Sequence, residues 1–268
     1  MMEKKVYIKS FSRISVLDGE PDCRAFLTPM EARRMSRMMK RAVFVSMTAL
    51  QKAGIGSPDA IVTGTGLGCL ENTEAFLKSL TGVNDLPLRP TSFMQSTHNT
   101  ISSMIAIRTG CHGYNATYSH LGTSFESAML DGLLQIRSGS AANVLACAFE
   151  ELTPDFSRML EKTGFGPTVK DGRLSETAVA MVLSSDPQNA ICELSSVKLG
   201  RSGIPMPEGF RIITRDDAIS SYGNNFSVSA LAVCDGALAA AEGEKSLIYN
   251  NFSGYDQALT ILLPPCGN

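Results

Sequence analysis

The chain has 268 residues, of which 44% are hydrophobic and 19% charged, and its formal net charge is -2. That length holds one large domain or two closely packed halves with a substantial core. A charge this close to neutral gives no electrostatic reason for binding nucleic acid or an anionic membrane. No apolar stretch reaches the ~20 residues needed to cross a bilayer, and with no signal-peptide pattern a cytoplasmic protein is the expectation.

Strand and helix patterns alternate along the chain. Lys5-Val6-Tyr7-Ile8-Lys9 alternates polar and apolar residues, as a half-buried strand does. Thr28-Pro29-Met30-Glu31 then predicts the start of a long helix, with Thr28 as cap, Pro29 at the first position and Glu31 closing a capping box. Apolar residues recur at helical spacing through Met35, Met38, Met39, Ala42, Val43, Met47, Leu50 and Ala53, and Gly54 supplies the stop. Methionine stripes of this kind serve core packing or adaptable binding surfaces.

Ala60 to Thr63 reads as a buried strand running into Gly64-Thr65-Gly66-Leu67-Gly68, and Leu70 to Leu80 as a helix. Ser92 to Thr109 is a further helical candidate, Tyr114 to His120 is extended, and Thr123 to Arg137 is helical. Asn143 to Ala148 and Ala178 to Leu183 are buried-type strands. Ile191 to Leu199 predicts another strand and Asn225 to Ala241 a helix rich in small residues. Ser246 to Asn251 and Ala258 to Leu263 form a last strand pair around Gly254. Buried-type strands interleaved with helices indicate an α/β layered architecture.

The cysteines are scattered, with no CxxC pair, and an odd count of seven fits a reducing compartment. His98, His112 and His120 include no i,i+4 pair, so neither a metal site nor a cofactor is indicated. Glycines at 64, 66 and 68 lack the G-x-G-x-x-G spacing that cradles a pyrophosphate and read as a tight strand-to-helix turn. Glu150-Glu151 reads as the solvent end of a strand, since adjacent side chains diverge.

The most informative segment is Gly110 to Asp131. Its extended part meets a helix at Leu121-Gly122-Thr123, the kind of elbow on which a nucleophile is mounted because a helix N-terminus stabilises an anion. Here the elbow holds glycine. Thr123 and Glu126 are spaced as a second capping box, which would occupy the free amides, and Glu126 adds negative charge that would raise a neighbouring thiol's pKa.

At this segment Arg108-x-Gly110-x-x-Gly113-Tyr114-Asn115-x-Thr117-x-Ser119 resembles the approach to the active cysteine of β-ketoacyl synthases, and counting forward puts Gly122 on that cysteine. Other stretches resemble the family in order. These are the glycine turn at 64–68, the helix from Pro90 to Asn99, the strand from Asn143 to Glu151, Ser175-Glu176-Thr177-Ala178, and Asn250-Asn251-Phe252-Ser253-Gly254-Tyr255. The resemblance implies a thiolase-like α-β-α-β-α fold, with a ketosynthase-like half over residues 1–186 and a shortened second half over 187–268. The family's two catalytic histidines lie in the second half, and this chain has none after His120.

What the resemblance implies is a subunit of the chain-length-factor kind, in a polyketide or aryl-polyene type of system. It would pair with a catalytic ketosynthase, or with itself, and work with an acyl carrier protein. Catalytic residues are then absent, and Phe93, Met94, Thr97, His98, Tyr118, His120 and Phe125 are the candidates for tunnel wall or interface. The rivals are an active acyltransferase with a relocated nucleophile, Cys111 beside His112, and a homodimeric acyl- or carrier-protein-binding module.

Overall fold

The computed structural model describes residues 4–82, 90–163, 173–253 and 256–265. Nine strands form one sheet in the order β3-β2-β4-β5-β1-β6-β9-β8-β7. In chain order they are β1 (Tyr7–Ile14), β2 (Ala60–Gly64), β3 (Tyr114–Tyr118), β4 (Asn143–Glu150), β5 (Thr177–Ser184), β6 (Cys192–Gly200), β7 (Arg211–Thr214), β8 (Ser246–Asn251) and β9 (Gln257–Leu263). β2 is parallel to both β3 and β4, and β7 is parallel to β8; the other pairings are antiparallel. Strands β1 to β5 precede residue 187 and β6 to β9 follow it, joined through a short β1–β6 ladder at Tyr7 and Ile8.

The helices are α1 (Pro29–Ala32), α2 (Arg37–Ala53), α3 (Leu70–Leu80), α4 (Pro90–Gln95), α5 (Thr100–Thr109), α6 (Ser124–Ser138), α7 (Pro154–Thr163), α8 (Arg215–Tyr222) and α9 (Ser229–Ala241). Two apolar clusters account for the layers. One gathers Phe125, Met129 and Leu133 of α6 and Leu231 to Cys234 of α9 against Val62, Ala146, Met181, Leu194 and Leu262. The other gathers Met38, Met39, Ala42, Val45 and Ala49 of α2 and Ile101 and Ile105 of α5 against the opposite faces of β2, β4 and β5. Burying β2, β4 and β5 on both faces explains their unbroken apolar runs.

Two helical expectations change. The long helix from Thr28 to Ala53 is two: the Thr28–Glu31 capping box forms, but the chain leaves the helix at Arg33 and Ser36 caps a new start, accepting the Met39 amide. The span from Ser92 to Thr109 is likewise broken between Gln95 and Thr100. There Ser96 and Thr100 hydroxyls donate to the backbone carbonyls of Phe93 and Met94, offering the chain an alternative to the helical ladder. α7, β7 and α8 were not foreseen: β7 has only four residues, and α8 has almost no amphipathic stripe and rests on a Thr214–Asp217 capping box. The methionine stripe divides, with Met38 and Met39 buried and Met35 only half-buried.

Candidate functional site

β2 ends at Gly64, where a Cβ would stand 2.5 Å from the Phe125 backbone nitrogen, so only glycine lets α6 dock this closely. The parallel strand β3 runs beside it and delivers the chain to Leu121-Gly122-Thr123, a single 3-10 turn ahead of α6. Leu121 sits in the left-handed region at φ 52, a backbone strain of about 1 kcal/mol for a non-glycine residue. The sharp elbow read from the sequence is present.

Its capping differs from the expectation. Thr123 does not cap α6, and its hydroxyl donates to the His120 carbonyl at 3.3 Å. Ser124 accepts the His120 amide at 2.8 Å and donates to the Leu121 carbonyl at 2.7 Å. Glu126 turns inward and is 1% exposed. Burial raises its pKa, with Ser229, Asn250 and Arg215 acting in the opposite direction. Glu126 therefore stands as a buried acid facing Asn250, where the expectation was an exposed charge in the first turn.

Asn250, at the end of β8, ties the elbow together. Its amide donates to the Gly122 carbonyl at 2.7 Å and to Glu126 Oε1 at 2.8 Å. Two residues on, Phe252 lies over Gly122: a Cβ added there would be 2.8 Å from Phe252 Cβ and closer still to the ring. The ring packs 5.6 Å from Phe226, and the buried Arg215 guanidinium stands 5.2 Å from its centroid. Arg215 also donates to the Asn225 carbonyl at 2.6 Å. Gly254 and Tyr255 of the same loop, and Cys266, lie outside the described residues.

The acidic pair is another correction. Glu150 and Glu151 are buried, at 3% and 7% exposure, and do not end the strand in solvent. Glu150 accepts the Gly66 amide and the hydroxyls of Thr65 and Ser227, while Glu151 accepts the Glu71 amide. The chain end of β4 therefore holds the glycine turn and the start of α3 through carboxyl groups. Burial pushes both acids up to about 7.

The wall candidates fall into three places. Phe93, Met94, Thr97 and His98 lie together on the exposed α4–α5 segment, with the Phe93 ring 5.1 Å from Phe76 of α3. Tyr118 and His120 stand at the end of β3 with rings 6.2 Å apart, and the Tyr118 hydroxyl donates to Asp131 at 2.9 Å. Phe125 is 1% exposed inside the core cluster, against which Tyr118 packs. Cys111 is buried in the α2/α5 cluster at the opposite end of β3 from Gly122, about 16 Å away by strand length. Among the described residues no group of three or more His, Cys, Asp or Glu side chains is placed to hold a metal ion.

Sequence reasoning named the loop holding Asn250 and Phe252 but not their contacts with Gly122. A glutamate amid the apolar run Phe125, Ala128 and Met129 was the one local sign of the buried Glu126. Arg215 and Ser227 carry no such signal, since they meet Phe252 and Glu150 only through tertiary packing.

No curated protein matches the chain. Among solved structures, it is similar to a chain of the AntDE:AntF complex, a type II polyketide synthase acyl carrier protein with its ketosynthase. That match has a TM-score of 0.80 at 13% identity and covers 98% of this chain and 100% of the other. The ishigamide ketosynthase/chain length factor is similar at TM-score 0.79 and 14% identity, over 99% and 100%. The ApeO ketosynthase with its chain length factor ApeC from Xenorhabdus doucetiae follows at 0.64 and 19%, over 96% and 99%. At such identities these likenesses establish the fold. Residues 13–207 match the β-ketoacyl synthase N-terminal domain, most of the sheet and the elbow included. The chain belongs to the β-ketoacyl synthase family.

Proposed function

We propose that this chain is a non-catalytic ketosynthase-like subunit that pairs with an active ketosynthase and shapes its acyl tunnel, in polyketide or fatty-acid-type biosynthesis such as that of aryl polyenes. The observation that carries this is the packing of Phe252 onto Gly122. The elbow that would present a nucleophile has neither a reactive atom nor space for one, and Asn250 fixes it in that form. The partner then supplies the nucleophile, and an acyl carrier protein delivers the substrate to it.

Pairing would run along β3, the last strand of the sheet among the described residues, whose five residues are exposed or half-buried. An open edge offers unpaired backbone groups to a second chain. Phe93, Met94, Thr97 and His98, together with Tyr118 and His120, would then border the shared tunnel. Two of the similar structures, the ishigamide and ApeO/ApeC ones, are ketosynthase and chain-length-factor pairs, which supports this reading.

A second reading, self-pairing, is favoured by the sequence of β3 itself. Tyr114-Asn115-Ala116-Thr117-Tyr118 is nearly symmetric about Ala116. Antiparallel pairing of two copies there would set Tyr114 of one opposite Tyr118 of the other, as a twofold interface requires. Co-expression with a ketosynthase from the same gene neighbourhood separates the two. A 1:1 complex supports the first reading, whereas a homodimer that leaves the ketosynthase unbound supports the second.

A further inference from the structure

The two ends of the sheet share one plan, and the β7 end stops one strand short of it among the described residues. α6 packs Gly132 against Val62, Val144 and Leu183 of β2, β4 and β5, and α9 packs Gly236 against Ile248 and Leu262 of β8 and β9. One residue earlier in each helix, Asp131 and Asp235 accept a tyrosine hydroxyl at 2.9 Å, from Tyr118 and Tyr222 respectively. β7 thus holds the place that β2 holds in the first half, parallel to the strand that follows its helix. β2 carries β3 on its far side, whereas β7 carries no described strand there. The five residues of β2 are all buried, while those of β7 are exposed or half-buried.

A cleft of about 480 Å³ runs along this edge between β7, α8 and α9, with Ile212 and Leu238 at its border, 48% and 46% exposed. The Arg211 amide donates to the Lys245 carbonyl at 2.8 Å, so by strand alternation the Ile212 N–H and C=O face outward. The next outward amide, that of Thr214, is taken by Asp217 at 2.8 Å. The backbone therefore offers a single pair of ladder groups, and side chains must supply the rest of any affinity. Those side chains are acidic. Asp217, Asp235 and Glu242 line the cleft against one cation, Arg211, which pairs with Glu244 at 2.9 Å. Arg13 meets Asp235 at 2.5 Å, and among the described residues no ion pair reaches Asp217 or Glu242. An open edge with an excess of carboxylates is complementary to a cationic strand.

We infer that the β7 edge takes an extended, lysine-bearing segment of a partner protein, running parallel to β7 as β3 runs parallel to β2. Asp235, Leu238 and Glu242 follow one stripe of α9, about 10 Å from end to end. Alternate residues of a strand share a face, and i, i+2 and i+4 span about 13 Å. Lysine, an apolar residue and lysine at those positions therefore match the stripe. Glu244, just past the end of α9, pairs with Arg211 at the start of β7, so helix and strand run in opposite directions. The leading lysine then meets Glu242, and the trailing one Asp235 and Asp217. A second copy is the poorer occupant, because twofold pairing of two β7 edges sets these carboxylates against their own kind. The site lies at the far end of the sheet from β3, so it does not depend on which chain pairs there.

The test uses the intact chain and a fluorescein-labelled peptide of about nine residues, with lysine, valine and lysine at alternate central positions and threonine elsewhere. A second peptide carries glutamate for each lysine. A third keeps the lysines but is N-methylated at the lysine and valine nitrogens, which face β7 when their side chains face α9. Fluorescence anisotropy is expected to show saturable binding of the first peptide, with the other two at least about tenfold weaker. Glu242→Lys, at an exposed position, should weaken the first peptide by about tenfold without moving the melting temperature. Ile212→Pro, which removes only an outward N–H, should do the same. No binding, equal binding of the glutamate peptide, or binding indifferent to Glu242→Lys would overturn the inference. Undiminished binding of the N-methylated peptide would also do so, by showing ionic capture without a strand. So would a homodimer that Ile212→Pro dissociates, by showing a second copy to be the occupant.

Discussion

The Phe252 ring takes the space that a side chain on Gly122 would need, and the Asn250 amide holds the Gly122 carbonyl at 2.7 Å while it does so. Restoring the missing nucleophile by Gly122→Cys should therefore fail on its own. Overpacking of this kind costs about 1–3 kcal/mol, so the variant should melt lower and its thiol should resist iodoacetamide. Gly122→Cys with Phe252→Ala should recover stability and label readily. Rapid labelling of the single variant would show that Phe252 does not close the elbow.

Asn250→Ala removes the donor shared by Gly122 and Glu126 and leaves a buried carbonyl unpaired. A loss of about 1–3 kcal/mol is expected in denaturant unfolding. Asn250→Asp should be at least as harmful above neutral pH, because it sets a carboxylate beside that carbonyl and the Glu126 carboxyl. An unchanged midpoint in both variants would mean that the clamp contributes nothing to stability.

Glu150 and Glu151 give the fold a pH dependence with a definite sign. Unfolded glutamates titrate near 4.3, while burial raises these two to about 7. Between those values the folded chain holds more protons than the unfolded one, so stability falls as pH rises through that window. Glu150→Gln keeps an acceptor for the Gly66 amide and should stabilise the protein at pH 8 by on the order of 2 kcal/mol. Its advantage should vanish near pH 4.5. Chemical denaturation at the two pH values checks both the size and the sign.

Tyr114, 44% exposed on β3, faces whatever chain pairs with that edge. A lysine on an edge strand opposes strand addition. Tyr114→Lys should therefore raise the dissociation constant of the complex by about tenfold or more without moving the monomer's melting temperature. Sedimentation of wild type and variant reads this directly. Identical association would place the interface elsewhere.

Much of the fold is legible in the chain because its signals are local. The Thr28–Glu31 capping box, the apolar strands at 60–63, 143–148 and 178–183, and the glycine at 54 act through a few neighbouring residues. Helix breaks at Arg33 and Ser96 were hidden by side chains that fit a continuous helix but bond to the backbone instead. Glu126 and Glu150 defeated a reading based on charge: one carboxyl oxygen of each is met by a residue far along the chain, Asn250 or Ser227, which only tertiary packing supplies. The glycine at 122 was visible from the first; the aromatic ring that fills its place was not.

The central claim is that acyl chemistry belongs to the partner and not to this chain. Intact-mass spectrometry of the co-purified 1:1 complex, after incubation with an acyl-loaded carrier protein, tests it most directly. The expected spectrum shows a stoichiometric acyl adduct on the ketosynthase and this chain at its unmodified mass. An adduct on this chain, whether on Cys111 or elsewhere, would contradict the account.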